Sequence, residues 1–433
     1  MLHKYQKSIL TYFIILLPLT FVVGIAVTEI VAFIIILSFL FKNRSLSFLN
    51  DKKFLFLLIF SFFVGIHAYL NINDDLKYSG IFYFRYLLLL LSIVFFLEIF
   101  ENYKNKEIKN IFFLITFILA FIFFDTIFQF FNGENLFGNK IIRNRISGVF
   151  GSEHILGGYL LKLFPLYLWL IFYIDFDLNK NFKFIVLIFS AFLICIYLSG
   201  ERTSLALLLI FLILLTIFLN KIRKIIFYSF TVLLIFIFVT VFSNIGKSDL
   251  FNRIVVKTFN QLTNQIFLEE NKQLSVDNIK EDSQKVIKNL KFFSSEHEGH
   301  YKLAYKLFLT EPLIGIGPRG FRYYCRSVEY DPDVGICSTH PHNISLQILS
   351  ETGILGIIFY IVGILFIIRN LITVYKIQNK NVDNYCFLIS SIGIIIYLFP
   401  FLPSGNMFNN WISISNFYMF ALYFYSYKRI FKL

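Results

Sequence analysis

The chain has 433 residues, of which 57% are hydrophobic, 20% aromatic and 15% charged, with a formal net charge of +13. Soluble domains carry about 25% charged residues, and the mean hydropathy of +0.71 excludes an ordinary soluble protein. The positive charge does not indicate nucleic-acid binding: about half of it lies in short loops between apolar runs, and the rest lies in segments that could meet anionic lipid or diphosphate. We therefore expect an all-α polytopic membrane protein, a single integral membrane domain over residues 1–433 with no soluble domain before or after it.

Apolar runs of about 17 to 25 residues are long enough to cross a hydrocarbon core about 30 Å thick. The sequence predicts twelve such helices, or eleven if the first pair, divided near Glu29, is one element. No small-residue cleavage site follows the first run, which indicates a membrane helix rather than a signal peptide. The runs lie at 8–25, 27–42, 54–70, 80–100, 110–131, 155–175, 183–199, 203–219, 224–243, 353–372, 384–402 and 410–428.

The distribution of basic residues predicts the orientation of these helices, because lysine and arginine near helix ends resist translocation. Alternate loops are basic, so we expect that side, with both termini, to be cytoplasmic. The opposite connections are acidic or short, as at Asp74 and Asp75 or at 404–406, and one long segment, 244–342, is predicted to form a large periplasmic loop. The basic positions are Lys42, Arg44, Lys52, Lys53, Lys104, Lys106, Lys109, Lys221, Arg223, Lys224, Arg369, Lys376, Lys380, Lys428, Arg429 and Lys432.

Two arginines stand out among the apolar runs. Arg85 lies inside the fourth run, where it either pairs within the bundle or lines the path of a lipid substrate. Arg202 lies at the outward mouth of the run 203–219, where it could pair with Glu201, reach to the interface, or act as a functional cation beside a cavity.

The outward loop 132–154 breaks the charge pattern, since it carries Lys140, Arg143 and Arg145. These residues could attract an anionic lipid headgroup. We favour the alternative, a cluster of solvated loop charges.

The large outward loop contains several predicted local structures. Its first part is amphipathic, which suits a helix at the membrane surface or an ordinary packing helix. A second helix is predicted over 301–310, with Lys302 and Lys306 one turn apart, and Glu311 with Pro312 should end it. The apolar positions of the first part are Ile254, Val255, Phe259, Leu262, Ile266 and Phe267.

A glycine-rich stretch, Gly315–Gly320, follows and predicts a tight, exposed turn. Its backbone N–H groups, Arg319 and Arg322 could bind an oxyanion, or the stretch could be only a turn.

The four cysteines divide into two classes. Cys325 and Cys337 lie in the outward loop, where an oxidising compartment would permit a disulfide. Cys195 and Cys386 lie within apolar runs and are expected to be inert packing residues. A C-x2-C pair is absent, so no zinc site is expected.

The segment 339–356 carries the most specific pattern, beginning Thr-His340-Pro-His342-Asn343. A helix should begin at His342 or Asn343, since Pro341 cannot continue a helix backwards and asparagine is a good cap. Asn343, Gln347, Ser350 and Glu351 would then form a polar stripe facing a wet cavity or a partner. The positive end of the helix dipole would keep the imidazole of His342 neutral and available as a base. The alternative is that both histidines simply bond to backbone.

The pattern His342-Asn343, nine residues, then Gly353-x-x-Gly356, preceded by Pro312-Leu-Ile-Gly-Ile-Gly317, resembles the signature of bacterial O-antigen ligases and related polysaccharide polymerases. The resemblance implies a fold like that of C-type glycosyltransferases and a metal-independent membrane enzyme of lipopolysaccharide biosynthesis that needs no cofactor. Such an enzyme moves a glycan from undecaprenyl diphosphate to a sugar hydroxyl of lipid A-core at the periplasmic face of the inner membrane. By this resemblance His342 would be the general base and Arg202 would neutralise the leaving diphosphate.

The substrate-binding residues that we predict on this basis include His340, Asn343 and Glu351. One departure concerns an arginine that the family commonly has about fifteen residues before the Pro-Leu-x-Gly segment, because this chain has none there. His297, His300, Arg319 and Arg322 are the candidates to replace it, and we favour Arg319.

Two other functions are compatible with the sequence. A polymerase would join carrier-linked repeat units and shares the same donor chemistry. A transporter of the lipid-linked glycan would be expected to show inverted repeats and charges buried at mid-membrane, and the sequence shows no clear repeat and few such charges.

Overall fold

The computed structural model describes residues 10–41, 52–70, 84–100, 105–243, 245–246, 249–263, 293, 295–327, 337–378 and 380–431. All regular structure in this part is helical, and β-pairing is limited to isolated bridges in the loop 132–154. The prediction of an all-α protein is confirmed. Several residues used to predict orientation or amphipathicity lie outside the described residues, namely Lys42, Arg44, Asp74, Asp75, Lys104, Lys432, Ile266 and Phe267.

Within the described ranges, a helix coincides with each of the predicted apolar runs. A short π-helix, Asn252–Val256, and three shorter α-helices lie in the long connection before the last three. The first group is α1 Leu10–Val22, α2 Ile25–Leu40, α3 Lys52–Leu70, α4 Phe84–Phe100, α5 Asn105–Asn132, α6 Leu156–Tyr173, α7 Phe182–Leu198, α8 Arg202–Phe218 and α9 Arg223–Phe242. The connection holds α10 Lys257–Thr263, α11 Ser295–Thr310 and α12 Gly320–Ser327, and the last helices are α13 Ile344–Tyr375, α14 Val382–Tyr397 and α15 Asn410–Phe431.

Length and composition identify the described helices best suited to crossing a membrane. Four stretches qualify: Ile108–Asn132, Leu156–Tyr173, Asn220–Phe242 and Ile344–Tyr375. Most of the remaining helices in the bundle are apolar but shorter than 18 residues. Large apolar side chains on α9 lie on the outside of the protein, with Phe227 67% and Phe238 60% exposed. Such a surface suits lipid better than water.

The centre of the bundle is built around α14, which packs against α6, α8, α13 and α15. Gly393 permits this close packing, since a Cβ there would lie 2.8 Å from Met419 Cε and 3.2 Å from Pro165 Cβ. The buried Lys162 finds a partner within the bundle: its Nζ donates to Asn416 Oδ1 at 3.0 Å.

Arg85 pairs inside the bundle, which decides between the two alternatives raised by the sequence. Its Nη2 lies 2.9 Å from Glu29 Oε1 and donates to Tyr86 Oη at 2.7 Å. The ion pair joins α4 to α2 and explains how two charged residues are tolerated in nearly continuous apolar sequence.

The helix α13 is broken at Gly353, whose φ of 65° and ψ of −163° are not helical. Pro312–Gly317 fills the break. Ile316 N–H donates to the carbonyl of Ser350 and Gly317 N–H to that of Glu351, both at 3.0 Å. On the other side of the break, the N–H groups of residues 354 and 355 donate to the carbonyls of residues 312 and 313, at 2.8 and 3.2 Å.

These four bonds, called here the Gly353 stitch, explain two glycines of the sequence pattern. Gly315 has φ +74°, and a Cβ on it would lie 2.5 Å from the backbone carbon of Glu351. A Cβ on Gly353 would meet the backbone of Leu313. The predicted exposed turn is therefore wrong: residues 315–318 are buried, and the amides at 315–317 are bonded within the protein. They are not available for an oxyanion.

Candidate functional site

The segment His340–Asn343 leads directly into α13. As predicted, Asn343 caps this helix: its Oδ1 accepts from Leu346 N–H at 3.0 Å. Its Nδ2 donates to the carbonyl of Pro400 at 2.9 Å. The first helical residue is Ile344, and His342 lies just outside the helix with a left-handed φ of 55°. Both ends of the Asn343 amide are thus used to fix the start of the helix.

Four histidines that the sequence analysis selected lie together at this point. The ring centroid of His342 is 4.1 Å from that of His340, 5.3 Å from that of His297 and 5.4 Å from that of His300. His297 and His300 are three residues apart on α11 and so lie on one face of that helix. We call these four side chains the imidazole cluster.

Burial lowers the pKa values of two members of the cluster. The pKa of His342 falls to about 3, first through burial and then through the charges of His340, His297 and His300. The pKa of His340 falls to about 4, also mainly through burial, although its bond to the carbonyl of Ser404 opposes the shift. Both rings are therefore neutral at neutral pH. The sequence predicted a neutral His342, but from the helix dipole, whereas the causes here are burial and neighbouring imidazoles.

Hydrogen bonds restrict the tautomers of these two rings. His340 Nε2 lies 3.1 Å from the carbonyl oxygen of Ser404, which can only accept, so Nε2 carries the proton. His340 Nδ1 then accepts from Thr339 Oγ1 at 3.0 Å. His342 Nε2 lies 2.9 Å from Ser338 Oγ. No described residue bonds to His342 Nδ1. A proton on Nε2 would leave the lone pair of Nδ1 available.

The connection between α14 and α15, residues 398–409, holds this segment in place and was missed by the sequence analysis. Ser404 N–H donates to the carbonyl of His342 at 2.9 Å, and Asn406 Nδ2 donates to the carbonyl of Thr339 at 3.4 Å. From the sequence, residues 404–406 were predicted only to form a short outward connection. The predicted topology places residues 404–406 on the same side of the membrane as the histidine motif, and this placement could have indicated that the two segments meet.

The predicted polar stripe on α13 faces other parts of the protein rather than a wet cavity. Gln347 and Glu351 are both 0% exposed. Gln347 Nε2 donates to Asn406 Oδ1 at 2.7 Å and to Glu351 Oε2 at 3.1 Å, and its Oε1 accepts from Met407 N–H at 2.9 Å. Glu351 Oε1 accepts from Phe321 N–H at 3.2 Å. Glu351, predicted to bind substrate, joins α13 to the start of α12.

Arg319, the favoured replacement for the missing family arginine, is also bonded within the protein. Its Nε and Nη2 donate to the carbonyl of Phe408 at 3.1 and 2.8 Å, and Nη2 donates to Asn410 Oδ1 at 3.1 Å. Arg322 lies on the exposed side of α12. No hydrogen bond or charge interaction in the described structure joins either arginine to His342.

A disulfide between Cys325 and Cys337 ties α12 to the residues just before the histidine motif. Their Cα atoms are 5.6 Å apart and the bond spans twelve positions of sequence. Cys195 and Cys386 are buried and free.

Arg202 is the first residue of α8, and its Nη1 donates to Thr258 Oγ1 of α10 at 3.3 Å. A salt bridge with Glu201, one of the alternatives from the sequence, does not form. The Glu201 carboxylate instead accepts from the N–H groups of Gly157 and Gly158 at 2.9 and 3.1 Å, and from Ser204 Oγ at 2.8 Å. Glu201 thereby caps the N-terminus of α6. Arg202 and His342 share no contact in the part of the chain that is described.

A comparison with protein families tests the resemblance that the sequence pattern indicates. Residues 185–361 match the O-Antigen ligase family. The resemblance to O-antigen ligases and polymerases is therefore confirmed for this segment. No curated protein matches the chain.

The O-antigen ligase segment contains most of the candidate site. It includes Arg202, Pro312–Gly317, His342 and the glycines 353 and 356, whereas the connection 398–409 lies beyond its end. At the place of the missing family arginine this segment has His297, in contact with His342. In the described residues, no group of three or more His, Cys, Asp or Glu side chains is arranged to hold a metal ion.

Proposed function

We propose that this protein is a membrane glycosyltransferase of the O-antigen ligase type. It would move a glycan from undecaprenyl diphosphate to a sugar hydroxyl of lipid A-core. The observation that carries the proposal is the imidazole cluster at the start of α13, inside the segment that matches the O-Antigen ligase family. A buried neutral imidazole with one unbonded nitrogen can accept a proton from an acceptor hydroxyl.

The proposed reaction is a direct displacement at the anomeric carbon of the donor sugar. His342 Nδ1 takes the proton of the acceptor hydroxyl while its oxygen forms the new glycosidic bond. The bond from the anomeric carbon to the diphosphate oxygen breaks, and undecaprenyl diphosphate leaves with the electron pair. Arg202 stabilises the negative charge that develops on the diphosphate, so that no metal or cofactor is required. In this scheme His340 and Asn343 position His342 and the acceptor.

The membrane arrangement belongs to the same proposal. We infer twelve crossings, cytoplasmic termini, and a site at the periplasmic face of the inner membrane within the loop 244–342. The helices at all the predicted apolar runs and the basic alternate loops support this arrangement. The disulfide between Cys325 and Cys337 fits an oxidising compartment.

A gene deletion viewed by lipopolysaccharide electrophoresis tests the choice of acceptor. A ligase should lose the entire polysaccharide ladder and accumulate polymer on the carrier. A polymerase, which uses a carrier-linked repeat unit as acceptor, should instead leave a core band carrying one repeat. The second pattern would reject the ligase assignment.

Substitution of the two proposed catalytic residues tests the mechanism. We expect His342→Ala to reduce glycan transfer by about 100-fold or more, as for loss of a general base, and Arg202→Ala to do the same through loss of charge stabilisation. Transfer would be measured with purified protein, and membrane abundance by immunoblot.

Arg326→Ala is the matched control, because Arg326 is an exposed arginine on α12 without a proposed role. It should retain normal transfer. Full transfer by His342→Ala at normal abundance would reject the base assignment.

A further inference from the structure

The four histidines of the imidazole cluster are carried by two separate pieces of the protein. His297 and His300 lie on α11, whereas His340 and His342 lie in the segment that precedes α13. The ring contacts of His342 with the α11 histidines span centroid distances of 5.3 and 5.4 Å. Neither piece by itself fixes these distances, so the cluster depends on how firmly the two pieces are held together.

The piece that carries His297 and His300 has a small hydrophobic core of its own, which joins α11 to α12. Cys325 belongs to this core and is 6% exposed. Phe321 N–H, at the start of α12, donates to Glu351 Oε1 at 3.2 Å. The helix α12 is therefore fixed both to α11 and to α13. The core consists of Leu303, Ala304, Leu307, Ile316, Phe321 and Cys325.

The beginning of the other piece, Cys337 with Ser338, has much less support. Cys337 is exposed, and within the described ranges the backbone groups of Cys337 and Ser338 form no hydrogen bond with other backbone groups. Ser338 Oγ nevertheless lies 2.9 Å from His342 Nε2, and Thr339 Oγ1 donates to His340 Nδ1 at 3.0 Å. The side chains that hold the two imidazoles thus lie on a short stretch whose beginning is not fixed by backbone bonds.

We propose that the disulfide between Cys325 and Cys337 positions His342 for proton transfer. It links the core of α11 and α12 covalently to the beginning of the histidine segment. It thereby holds Ser338, the residue after Cys337, beside His342 Nε2, which keeps the lone pair on Nδ1. The inference rests on the proposed function, in which His342 is the base. Both cysteines are positioning residues, because they act through Ser338 and do not touch the substrate.

The disulfide is open to reduction from its Cys337 end. Because Cys337 is exposed, a thiolate of a dithiol reductant can attack its Sγ and release Cys325 as a thiolate. The second thiol of the reductant then attacks the mixed disulfide and releases Cys337. Two electrons and two protons pass from the dithiol, which becomes a cyclic disulfide, to the two cysteines. Reduction should therefore loosen the histidine segment without any change of sequence.

Steady-state kinetics of the purified full-length protein, before and after complete reduction by dithiothreitol, test this role. We expect the turnover number for glycan transfer to fall by about two-fold or more, since at least about half of the His342 rings would lose their bond to Ser338. The KM for the acceptor should change little, and reoxidation should restore turnover. Thiol labelling would measure the extent of reduction. An unchanged turnover number in the fully reduced protein would overturn the inference.

Three variants distinguish positioning from a general loosening of the protein. Cys337→Ser should reproduce the loss of turnover and should no longer respond to the dithiol. Cys195→Ala is the matched control, because Cys195 is a buried, free cysteine on α7, and it should behave like the unchanged protein. In Ser338→Ala, reduction should lower turnover by a smaller factor, since the disulfide acts through Ser338. Equal factors in Ser338→Ala and the unchanged protein would overturn this route of action.

A chemical probe of the imidazoles separates this inference from the proposed function. Diethyl pyrocarbonate modifies neutral imidazoles, and peptide mass spectrometry would give the rate at each histidine. Reduction should raise the rate at His342 by a similar factor of about two or more, whereas His154, on the loop 132–154, should react equally in both states. Equal rates at His342 in the oxidised and reduced protein would overturn the inference even if His342→Ala abolishes transfer. A faster rate in a protein that transfers no glycan would support the positioning of His342 and reject the proposed function alone.

Discussion

The chemistry of His342 depends on which of its nitrogens carries the proton. Burial and the surrounding imidazoles keep the ring neutral, with a pKa of about 3. Neutrality makes a lone pair available, although so low a pKa makes the ring a weak base until a substrate anion approaches. Ser338 Oγ, 2.9 Å from Nε2, can accept the proton of that nitrogen and so leave the lone pair on Nδ1.

We predict that Ser338→Ala lowers the turnover number for glycan transfer by about two-fold or more, since at least about half of the neutral rings would adopt the wrong tautomer or rotate. The KM for the acceptor should change little, because Ser338 is proposed to act through His342. Steady-state kinetics of purified protein would measure both constants. Ser338→Thr keeps the hydroxyl and should retain most of the activity. Equal turnover in Ser338→Ala and the unchanged protein would contradict this role.

At the scale of the element, the break in α13 connects the glycine pattern with the histidine motif. We predict that Gly353→Ala abolishes transfer and lowers the melting temperature, because the added methyl meets the backbone of Leu313 in addition to the cost of a positive φ. Gly138→Ala is the matched control: Gly138 also has a positive φ, +79°, but a Cβ there has nothing within 4 Å. Melting temperatures would be measured by thermal unfolding. A similar decrease in both variants would show that the positive φ alone causes the effect.

Local rules predicted the start of α13 and the end of α11, whereas α11 begins at Ser295, six residues before the predicted start. Asn343 was expected to cap α13, and Glu311 with Pro312 to end α11, because both effects act within one turn of a helix. The burial of Gly315–Gly317 could not be predicted in this way. A glycine-rich turn has the same sequence whether its amides face water or the backbone of another element, and the partner here lies more than thirty residues away.

At the scale of the molecule, the apolar runs predicted the helices because membrane length and hydropathy constrain each run by itself. The grouping of side chains at the candidate site could not be predicted in this way. The imidazole cluster joins α11 to the start of α13, so no spacing rule brings its histidines together.

The buried histidines also predict how the stability of the whole protein depends on pH. His340 and His342 have folded pKa values of about 4 and about 3, below the value of about 6.5 in an unfolded chain. The unfolded state therefore binds more protons below pH 6.5. The free energy of unfolding should fall as the pH drops from 6.5 toward 4, by up to about 1.4 kcal/mol per pH unit for each histidine.

Melting temperatures in detergent between pH 4.5 and 7.5 would measure this effect. His340→Gln should show a shallower fall than the unchanged protein. Parallel curves for the two proteins would contradict a contribution from His340.

The Gly353 stitch has a consequence for how such chains can diverge. Its four bonds are made entirely by backbone groups, so most side chains in 312–317 can change without disturbing it. The count of residues between Pro312 and Gly317 cannot change in the same way, because one insertion or deletion would shift each donor away from its carbonyl. Evolution can therefore change most side chains of this segment, Gly315 excepted, while the length of the segment stays fixed.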